Sequence, residues 1–303
     1  MTDRRDFIGH GGQPPMRHWP NGAGLAVSFV VNVEEGAELS IADGDECNEF
    51  IYEAVEPVEG EIDLCMESHF EYGPRAGWPR IRQALQDRRV PATLNACGRA
   101  IARLPWLAQE AVADGHEIAA HGYRWERHVH MDAVQERKAI ADCSDAIAAA
   151  CGEAPVGWHT RSATSPRTRD LLQENGGFLY DSNAYNDDIP FTVPGPNGPH
   201  VVLPYAFDTN DMRFFNRGGF VFAEDFSRYC IAAFDRLLDE SAHAPRMLSI
   251  GLHLRIIGRP ARISGLEQVL DHVLNHPDVW IARRDQIAHA WRAGLDLPVW
   301  NTR

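Results

Sequence analysis

Short apolar runs alternate with amphipathic stretches along most of the chain, and this alternation constrains the fold more than any other feature. The apolar runs are rich in β-branched residues and suit buried strands, whereas the intervening stretches carry apolar residues three and four positions apart, as amphipathic helices do. Buried strands separated by such helices predict a parallel sheet covered by helices. We predict strands at residues 25–33, 90–96, 116–120, 155–158, 177–180, 200–205, 246–252 and 278–282, and helices at residues 78–89, 104–114, 134–151, 168–174, 223–238 and 265–275.

The number of these strand–helix units favours a β/α barrel over a doubly wound α/β layer. The 303 residues contain no Ser/Gly/Pro-rich linker and no repeat of fixed period, so we expect residues 1–303 to form a single domain. Two long stretches, 35–65 and 185–199, are irregular in pattern. Because each follows a predicted strand, and long loops in compact domains are usually functional or mobile, both could cover a site.

The charge of the chain limits its partners. It carries 29 Lys and Arg against 43 Asp and Glu, a formal net charge of −14. Such a charge repels phosphate backbones and anionic membrane surfaces, so we expect neither nucleic acid nor a membrane as a partner. No apolar run approaches ~18 residues, and the segment Met1 to His10 is polar and charged. We therefore expect a cytoplasmic protein.

Polar side chains collect where the predicted strands end. In β/α barrels the site lies at the carboxyl ends of the strands, so these positions are the informative ones. Five separate strands deliver acids, imidazoles and guanidiniums to that rim. The segments are Asn32-Val33-Glu34-Glu35-Gly36, His121-Gly122-Tyr123, His159-Thr160-Arg161, Asp181-Ser182-Asn183 and His253-Leu254-Arg255.

The pair Glu34-Glu35 is the first candidate for chemistry. In strand geometry the two side chains point to opposite sides, but a turn at Gly36 could bring both to one cavity. Two close carboxylates, or one desolvated by an apolar strand end, raise the pKa of one carboxyl group, and this suits a general base. The simpler interpretation is an exposed acidic loop, which the apolar run 27–31 just before the pair argues against.

Two histidines and two arginines add to this rim. His121 could donate to an oxyanion, accept a proton or bind a metal, but Trp125 stands four residues later, so no HxxxH motif is present there. His253 follows a strand whose small residues admit close approach of another group. Arg161 and Arg255 could hold a carboxylate or polarise a carbonyl.

The segment 209–214, with Asn210, fits either a substrate-contacting loop or a subunit contact.

Motifs spread over almost the whole chain resemble the allantoinase branch of the polysaccharide-deacetylase (carbohydrate esterase family four) superfamily, which also contains cyclic-imide hydrolases. They include Arg5-Asp6-Phe7-Ile8-Gly9, Asn32-Val33-Glu34-Glu35-Gly36, Ser165-Pro166-Arg167-Thr168, Tyr180-Asp181-Ser182, Asn210-Asp211-Met212-Arg213-Phe214 and Gly251-Leu252-His253-Leu254-Arg255.

The resemblance implies a distorted parallel β/α barrel, a cytoplasmic homotetramer and hydrolysis of a carbon–nitrogen amide bond. Deacetylases of the superfamily use an Asp-Asp pair, as base and metal ligand, and an HxxxH motif. Here Glu34 and Glu35 stand at the Asp-Asp positions, His121 matches the first histidine and Trp125 replaces the second. The same replacement occurs in the allantoinase-like branch, whose reaction is thought to need no metal. The resemblance therefore implies no required cofactor.

Two departures from the branch leave the substrate and the metal open. The segment 157–164 has one residue more than the corresponding segment of the allantoinases, so the choice among allantoin, hydantoins, cyclic imides and related amides stays open. His128 stands where the branch often has an aromatic residue. If zinc is bound, Glu35, His121 and His128 are its expected ligands.

Our leading hypothesis is the ring opening of a small cyclic amide by water that Glu34 or Glu35 activates, with His121 and His253 stabilising the oxyanion or moving the proton. The alternatives are a metal-dependent deacetylase of N-acetylated sugars and a barrel that binds a small ligand without turnover. The expected substrate contacts are Asn32, Trp125, His159, Arg161, Asp181, Asn210 and Arg255.

Overall fold

In the computed structural model, which describes residues 5–51 and 56–300, nine strands form one curled and mostly parallel sheet. The strands lie in the order β6-β7-β5-β4-β3-β2-β1-β8, and β9 pairs with the first part of β1. Only the β6–β7 pair is antiparallel within the described residues. The bounds are β1 Leu25–Val33, β2 Thr93–Ala96, β3 Glu117–Ala120, β4 Gly157–Trp158, β5 Tyr180–Asp181, β6 Phe191–Val193, β7 His200–Val202, β8 Arg246–His253 and β9 Val279–Ile281.

The segment 203–210, which follows β7, lies between the two ends of this sheet. It runs beside β8, where the Gly251 amide donates to the Thr209 carbonyl at 2.9 Å and the Thr209 hydroxyl donates to the Ser249 carbonyl at 2.6 Å. The Ser249 hydroxyl donates in turn to the Pro204 carbonyl at 3.1 Å. These contacts complete a curled half-barrel, so the expectation of a distorted parallel β/α barrel is confirmed.

Helices cover the outer face of the sheet. All six predicted helices are present, but three further helices, α1, α3 and α9, were missed, as was strand β6 inside the stretch 185–199. The six-residue α3 is too short to show a helical period. The bounds are α1 Leu64–Tyr72, α2 Trp78–Arg88, α3 Gly98–Arg103, α4 Pro105–Ala113, α5 Ala133–Cys151, α6 Thr168–Asn175, α7 Ala223–Glu240, α8 Ile263–Leu274 and α9 Arg284–Gly294.

Strand β1 runs through the centre of the core, and all nine of its residues are buried. Its neighbours β8 and β2 lie on opposite edges, so its carboxyl end is surrounded by the carboxyl ends of other strands. A π-helical turn, Gly73–Gly77, joins α1 to α2 and packs against the end of β8. A Cβ at Gly77 would lie 2.0 Å from the Leu254 carbonyl oxygen, so this approach requires glycine. No helix in the described part of the chain has the length and apolarity needed to cross a membrane.

Candidate active site

A cavity of about 520 Å³ opens at the carboxyl ends of the strands. Its floor is polar, and its upper walls come partly from the two long loops that follow β1 and β5. The lining residues are Asn32, Glu34, Glu49, Phe50, Ile51, His121, Trp125, Arg127, His159, Arg161, Ser162, Ala163, Tyr185, Tyr205, Phe207, Asn210, Met212, Asn216 and His253.

Glu34 lies at the centre of the cavity floor. Its Oε1 atom is 3.4 Å from Nε2 of His121 and 3.4 Å from Nε2 of His253. All three side chains are almost completely buried, with 6% or less of each exposed. A carboxylate and two imidazoles thus converge from three different strand ends on one point of the cavity.

Glu35 lies on the opposite side of strand β1, so the expectation that both glutamates reach one cavity is wrong. Both glutamates lie beyond β1, which ends at Val33, and Glu35 and Gly36 are the central residues of a tight turn in which the Ala37 amide donates to the Glu34 carbonyl at 2.9 Å. Gly36 has φ of 88°, and the turn leaves the Glu34 and Glu35 side chains facing different spaces. Glu35 lines a separate crevice of about 250 Å³ behind the sheet, together with Glu38 and Glu67. The carboxylate is packed so closely against the π-helical turn that a Cβ at Gly73 would lie 2.5 Å from its Oε1 atom.

Arg255 connects the two glutamates from a completely buried position. Its Nη2 atom lies 2.8 Å from Oε2 of Glu34, and its Nη1 atom donates to Oε1 of Glu35 at 3.3 Å. Burial by itself would raise the pKa of Glu34, but the charges of Arg255 and His253 outweigh it and hold this pKa well below its usual range. For Glu35, burial outweighs Arg255 and raises the pKa. The carboxylate in the cavity is therefore the one that is held ionised.

His253 forms a dyad with Asp211. Its Nδ1 atom is 2.6 Å from Oδ1 of Asp211, whose Oδ2 atom accepts from the backbone amides of His253 and Ile257 at 2.7 and 3.1 Å. Burial disfavours the charged imidazole, but the carboxylates of Glu34 and Asp211 outweigh it and raise the pKa of His253 to about 9. His253 is therefore an imidazolium at neutral pH and can donate a proton.

His121 is held in one orientation by its neighbours. Its Nδ1 atom lies 2.7 Å from the His159 carbonyl oxygen, which can only accept, so Nδ1 carries the proton. In a neutral ring this leaves the Nε2 lone pair facing Glu34 and the cavity. The imidazole of His159 stacks on that of His121, with ring centroids 5.2 Å apart, and burial keeps the pKa of His159 well below its usual range.

Asn32, Asn210 and Tyr205 form a second polar group in the cavity. The Tyr205 hydroxyl accepts from Nδ2 of Asn32 at 3.2 Å and from Nδ2 of Asn210 at 3.3 Å. Both contacts use its lone pairs, so its own proton is available to a ligand. A Cβ at Gly251 would lie 2.3 Å from Nδ2 of Asn210, so the small residue of β8 admits the close approach that the sequence suggested.

The other expected substrate contacts divide into two groups. Trp125 and His159 line the cavity, as does Arg161, although its guanidinium is already paired with Glu49 at 2.8 and 2.9 Å and lies over the Trp125 ring at 3.5 Å. Asp181 and Arg255 do not line the cavity, so both are corrections. Asp181 is fully buried and lies 2.7 Å from Arg169 and 2.9 Å from His200. The guanidinium of Arg255 forms ion pairs with Glu34 and Glu35, so it does not contact a substrate in the cavity.

The residues named as ligands of a possible zinc ion do not assemble. Glu35 lies behind the sheet, whereas His121 faces the cavity. His128 is completely buried beneath the cavity wall, packed edge-on against Trp158 and 3.5 Å from Glu136. Because their donor atoms face three different places, Glu35, His121 and His128 do not fit one metal ion.

Sequence reasoning missed several residues that line the cavity or hold its side chains in place. Asp211 and Glu49 were not singled out because they gain their roles from partners far along the chain, His253 and Arg161. Tyr205 ends a predicted strand, and this position was a usable signal. Tyr185 and Phe207, which stack at 4.0 Å, form the wall between this cavity and a neighbouring one of about 580 Å³.

The comparisons with known proteins show the family of the chain. The Polysaccharide deacetylase family matches residues 64–178. A Schizosaccharomyces pombe protein that carries the name of a polysaccharide deacetylase is 36% identical over 97% of this chain and 98% of its own length. The chain therefore belongs to the polysaccharide deacetylase family.

Two solved structures are similar over almost their whole length. A probable polysaccharide deacetylase from Pseudomonas aeruginosa PAO1 has 45% identity and a TM-score of 0.92, with 96% of this chain and 98% of that chain covered. Puue allantoinase also has 45% identity and a TM-score of 0.92, with 97% and 98% covered. The resemblance inferred from the motifs is confirmed.

Proposed function

We propose that the chain hydrolyses a carbon–nitrogen bond, other than a peptide bond, in a small cyclic amide. The observation that carries this proposal is the position of Glu34, a buried carboxylate between two imidazoles at the floor of a cavity of about 520 Å³. Cavities of roughly 300–1,000 Å³ suit small molecules. The similarity to an allantoinase supports a cyclic substrate, such as allantoin, a hydantoin or a cyclic imide.

In the proposed reaction Glu34 takes a proton from water while the water oxygen bonds to the amide carbon. Arg255 keeps Glu34 ionised and fixes one carboxylate oxygen, so the other faces the cavity. His121, with its Nε2 lone pair towards the same point, orients the water by accepting its second hydrogen. Acid–base groups placed in this way contribute roughly 10²–10⁴-fold to a rate.

His253 supplies the proton that the reaction needs at its end. Its imidazolium first stabilises the negative charge on the amide oxygen. When the carbon–nitrogen bond breaks, its Nε2 proton passes to the leaving nitrogen, and the proton taken by Glu34 restores the imidazolium. Asp211 holds the ring in place through Nδ1 and keeps it charged before the reaction. The ring opens to a free amine or amide and a carboxylic acid, which loses its proton to solvent and leaves as a carboxylate.

Tyr205 binds the substrate in this proposal. Its hydroxyl proton is available because Asn32 and Asn210 occupy its lone pairs, so it donates to a second carbonyl oxygen of the ring. Cyclic imides and hydantoins carry such a second carbonyl, whereas an N-acetyl group does not. Tyr205→Phe should therefore raise KM by about tenfold and leave kcat nearly unchanged, because one neutral hydrogen bond is worth about 1–1.5 kcal/mol.

A hydrolysis screen tests the proposal. Purified protein is incubated with allantoin, hydantoins, cyclic imides and diketopiperazines, and with N-acetylated sugar oligomers, each with and without a chelator. We expect ring opening of at least one cyclic amide, unchanged by the chelator and abolished in Glu34→Gln. The proposal fails if Glu34→Gln retains full turnover on every cyclic amide that the wild-type chain opens.

The second candidate is a metal-dependent deacetylase of N-acetylated sugars, favoured by the names of the family and of two of its similar members. It predicts turnover of the sugar oligomers that is lost with the chelator and restored by added metal. A barrel that binds ligand without turnover predicts only a rise in Tm with the same compounds. Product from any compound of the screen rejects that third possibility. The homotetramer stays a prediction.

A further inference from the structure

A cluster of metal-ligating side chains lies on the outside of the barrel, away from the cavity. Asp235 of α7 and His272 and His276 at the end of α8 each offer a donor atom, and these atoms lie within 4.8 Å of one another. Among the residues that the structure describes, no other group of three such side chains meets this spacing. The two histidines are four residues apart: His272 lies in the last turn of α8, and His276 follows two residues after the helix ends.

The side chains of the cluster are oriented by their surroundings. Nδ1 of His276 lies 2.9 Å from the His272 carbonyl oxygen, and a carbonyl can only accept, so Nδ1 carries the proton. The lone pair of the neutral ring is therefore on Nε2. Metal-ligating histidines are commonly fixed by a hydrogen bond of this kind from their other nitrogen.

A buried phenyl ring supports both imidazoles. Phe234 is fully buried between the helices, and its ring centroid lies 5.4 Å from that of His272 and 5.0 Å from that of His276. The imidazoles themselves lie 4.9 Å apart. Because this packing limits rotation of the rings, the cluster loses less side-chain freedom on binding an ion than three freely exposed side chains would.

Asp235 completes the arrangement from the other helix. Its Oδ1 atom is 2.7 Å from Nε2 of His272, and about half of its side chain is exposed to solvent. Without an ion, one proton lies between these two atoms. A cation could replace that proton, since imidazole nitrogen and carboxylate oxygen are both ordinary zinc ligands at about 2.0–2.2 Å.

We propose that Asp235, His272 and His276 form a zinc-type metal site that joins α7 to α8 outside the catalytic cavity. Two imidazoles and one carboxylate suit Zn²⁺ rather than Mg²⁺ or Ca²⁺, which prefer oxygen ligands. Water would complete the coordination, because the cluster is open to solvent on one side. The site would stabilise the helix pair and take no part in hydrolysis.

A metal site on the helix pair would give zinc a place to bind that is separate from the catalytic cavity. Zinc found in the purified chain would come from the helix cluster and would not by itself support a metal-dependent reaction in the cavity. The two locations can be separated by mutation because no residue of the cluster lines the cavity.

Zinc titration of the metal-free chain tests the proposal directly. The binding stoichiometry is measured by calorimetry or by elemental analysis after desalting, and Tm is measured with and without ZnCl₂. We expect one Zn²⁺ per chain, a higher Tm with zinc, and binding that is at least about tenfold weaker in His276→Ala, His272→Ala and Asp235→Asn. His243→Ala, which removes an exposed histidine just beyond α7, is the matched control and should bind zinc as the wild type does.

Two results would overturn the proposal. One is a wild-type chain that takes up no Zn²⁺ in the titration, and the other is a His272→Ala/His276→Ala variant that keeps the full stoichiometry. Circular dichroism of each variant without metal checks that it is folded, and Asp235→Asn, which preserves side-chain size, provides a second variant if an alanine variant is not. Hydrolysis by the cluster variants should equal that of the wild type, so failure of this site and failure of the proposed reaction give different results.

Discussion

Glu34 and Glu35 are neighbours in the sequence but belong to two different environments. Glu34 faces a cavity with two histidines, whereas Glu35 faces an acidic crevice and the π-helical turn behind the sheet. One guanidinium, that of Arg255, contacts both. The charges of Arg255 and His253 hold the pKa of Glu34 well below its usual range, whereas burial raises the pKa of Glu35, so the two carboxyl groups differ in acidity as well as in position.

This difference shows that the turn at the end of β1 determines which glutamate of the pair faces the cavity. Glu34 directly follows β1 and Glu35 lies within the tight turn after it, so one side chain faces the barrel interior and the other faces the helices. The interior carboxylate meets the strand-end histidines. The outer carboxylate instead balances the buried charge of Arg255, because an uncompensated guanidinium in the core would be costly.

The largest effect should come from exchanging the interior carboxylate. Glu34→Gln removes the proposed proton acceptor but keeps the shape of the side chain, so we expect kcat/KM to fall by about 10³–10⁴-fold, or roughly 4–5.5 kcal/mol. The control is Glu35→Gln, for which we expect a loss of less than about tenfold. Steady-state kinetics on the best cyclic amide of the screen measures both. Equal losses in the two variants would show that the roles are not divided as proposed.

The location of the site could be predicted from the sequence more accurately than the set of residues that form it. Alternating apolar runs predicted the strands, and the rule that strand ends carry the site led correctly to Glu34, His121 and His253. The side of the strand on which Glu35 lies depends on where the chain leaves strand geometry. Gly36 indicated a turn, but not that this turn, closed from the Ala37 amide to the Glu34 carbonyl, points the Glu35 side chain away from the cavity.

Other parts of the site depend on contacts between distant segments, which no local pattern reveals. Asp211 reaches His253 across 42 positions of sequence, and Glu49 reaches Arg161 across 112. Asp181 was a reasonable candidate from its place at a strand end. Arg169 and His200 neutralise it within the core, and this too could be seen only from the folded chain.

The second largest effect, a loss of folding stability, should come from removing the guanidinium of Arg255, which pairs with both glutamates. Arg255→Met leaves two buried carboxylates without their counter-ion, and breaking a buried ion pair in this way typically costs about 3–5 kcal/mol. Here we expect about 3–4 kcal/mol less unfolding free energy, measured by urea denaturation. Arg161→Met is the control, since Arg161 is partly exposed and leaves only one carboxylate, that of Glu49, without its partner, and it should cost less, about 1–2 kcal/mol.

Stability should also depend on pH through His253, whose pKa is raised to about 9 from its ordinary value of 6.5. A raised histidine pKa means that the folded state binds the proton more tightly, so this contribution is complete below pH 6.5 and is lost as the pH rises through 9. We expect Asp211→Asn to reduce the loss of stability over this interval, because the carboxylate that helps to hold the proton is gone.

The same substitution should move the pH profile of hydrolysis. His253 must be protonated to act as the acid, so the rate should fall as the pH rises through about 9. In Asp211→Asn this alkaline limb should lie at lower pH by about one unit, equivalent to about 1.4 kcal/mol. Asp208→Asn, a loop neighbour outside the dyad, is the control and should leave the limb in place. An unchanged limb in Asp211→Asn would contradict the acid role of His253.

The smallest effect, again on the free energy of unfolding, should come from crowding the side chain of Glu35. Gly73 has φ of −52°, so alanine there meets no backbone strain, but its Cβ would lie 2.5–2.7 Å from three atoms of the Glu35 side chain. We expect Gly73→Ala to cost about 1–2 kcal/mol of unfolding free energy, as modest overpacking does, with little change in kcat/KM.

A double-mutant cycle separates this clash from a general effect of the helix turn. In a Glu35→Ala background the clashing atoms are absent, so Gly73→Ala should cost much less there, and the coupling energy should be about 1 kcal/mol or more. The same cycle with Glu34→Ala should show no coupling, because Glu34 lies across the strand from the turn. Coupling of Gly73 to both glutamates would mean that the inner and outer sites are not independent, and the division between a reacting and a supporting carboxylate would then be lost.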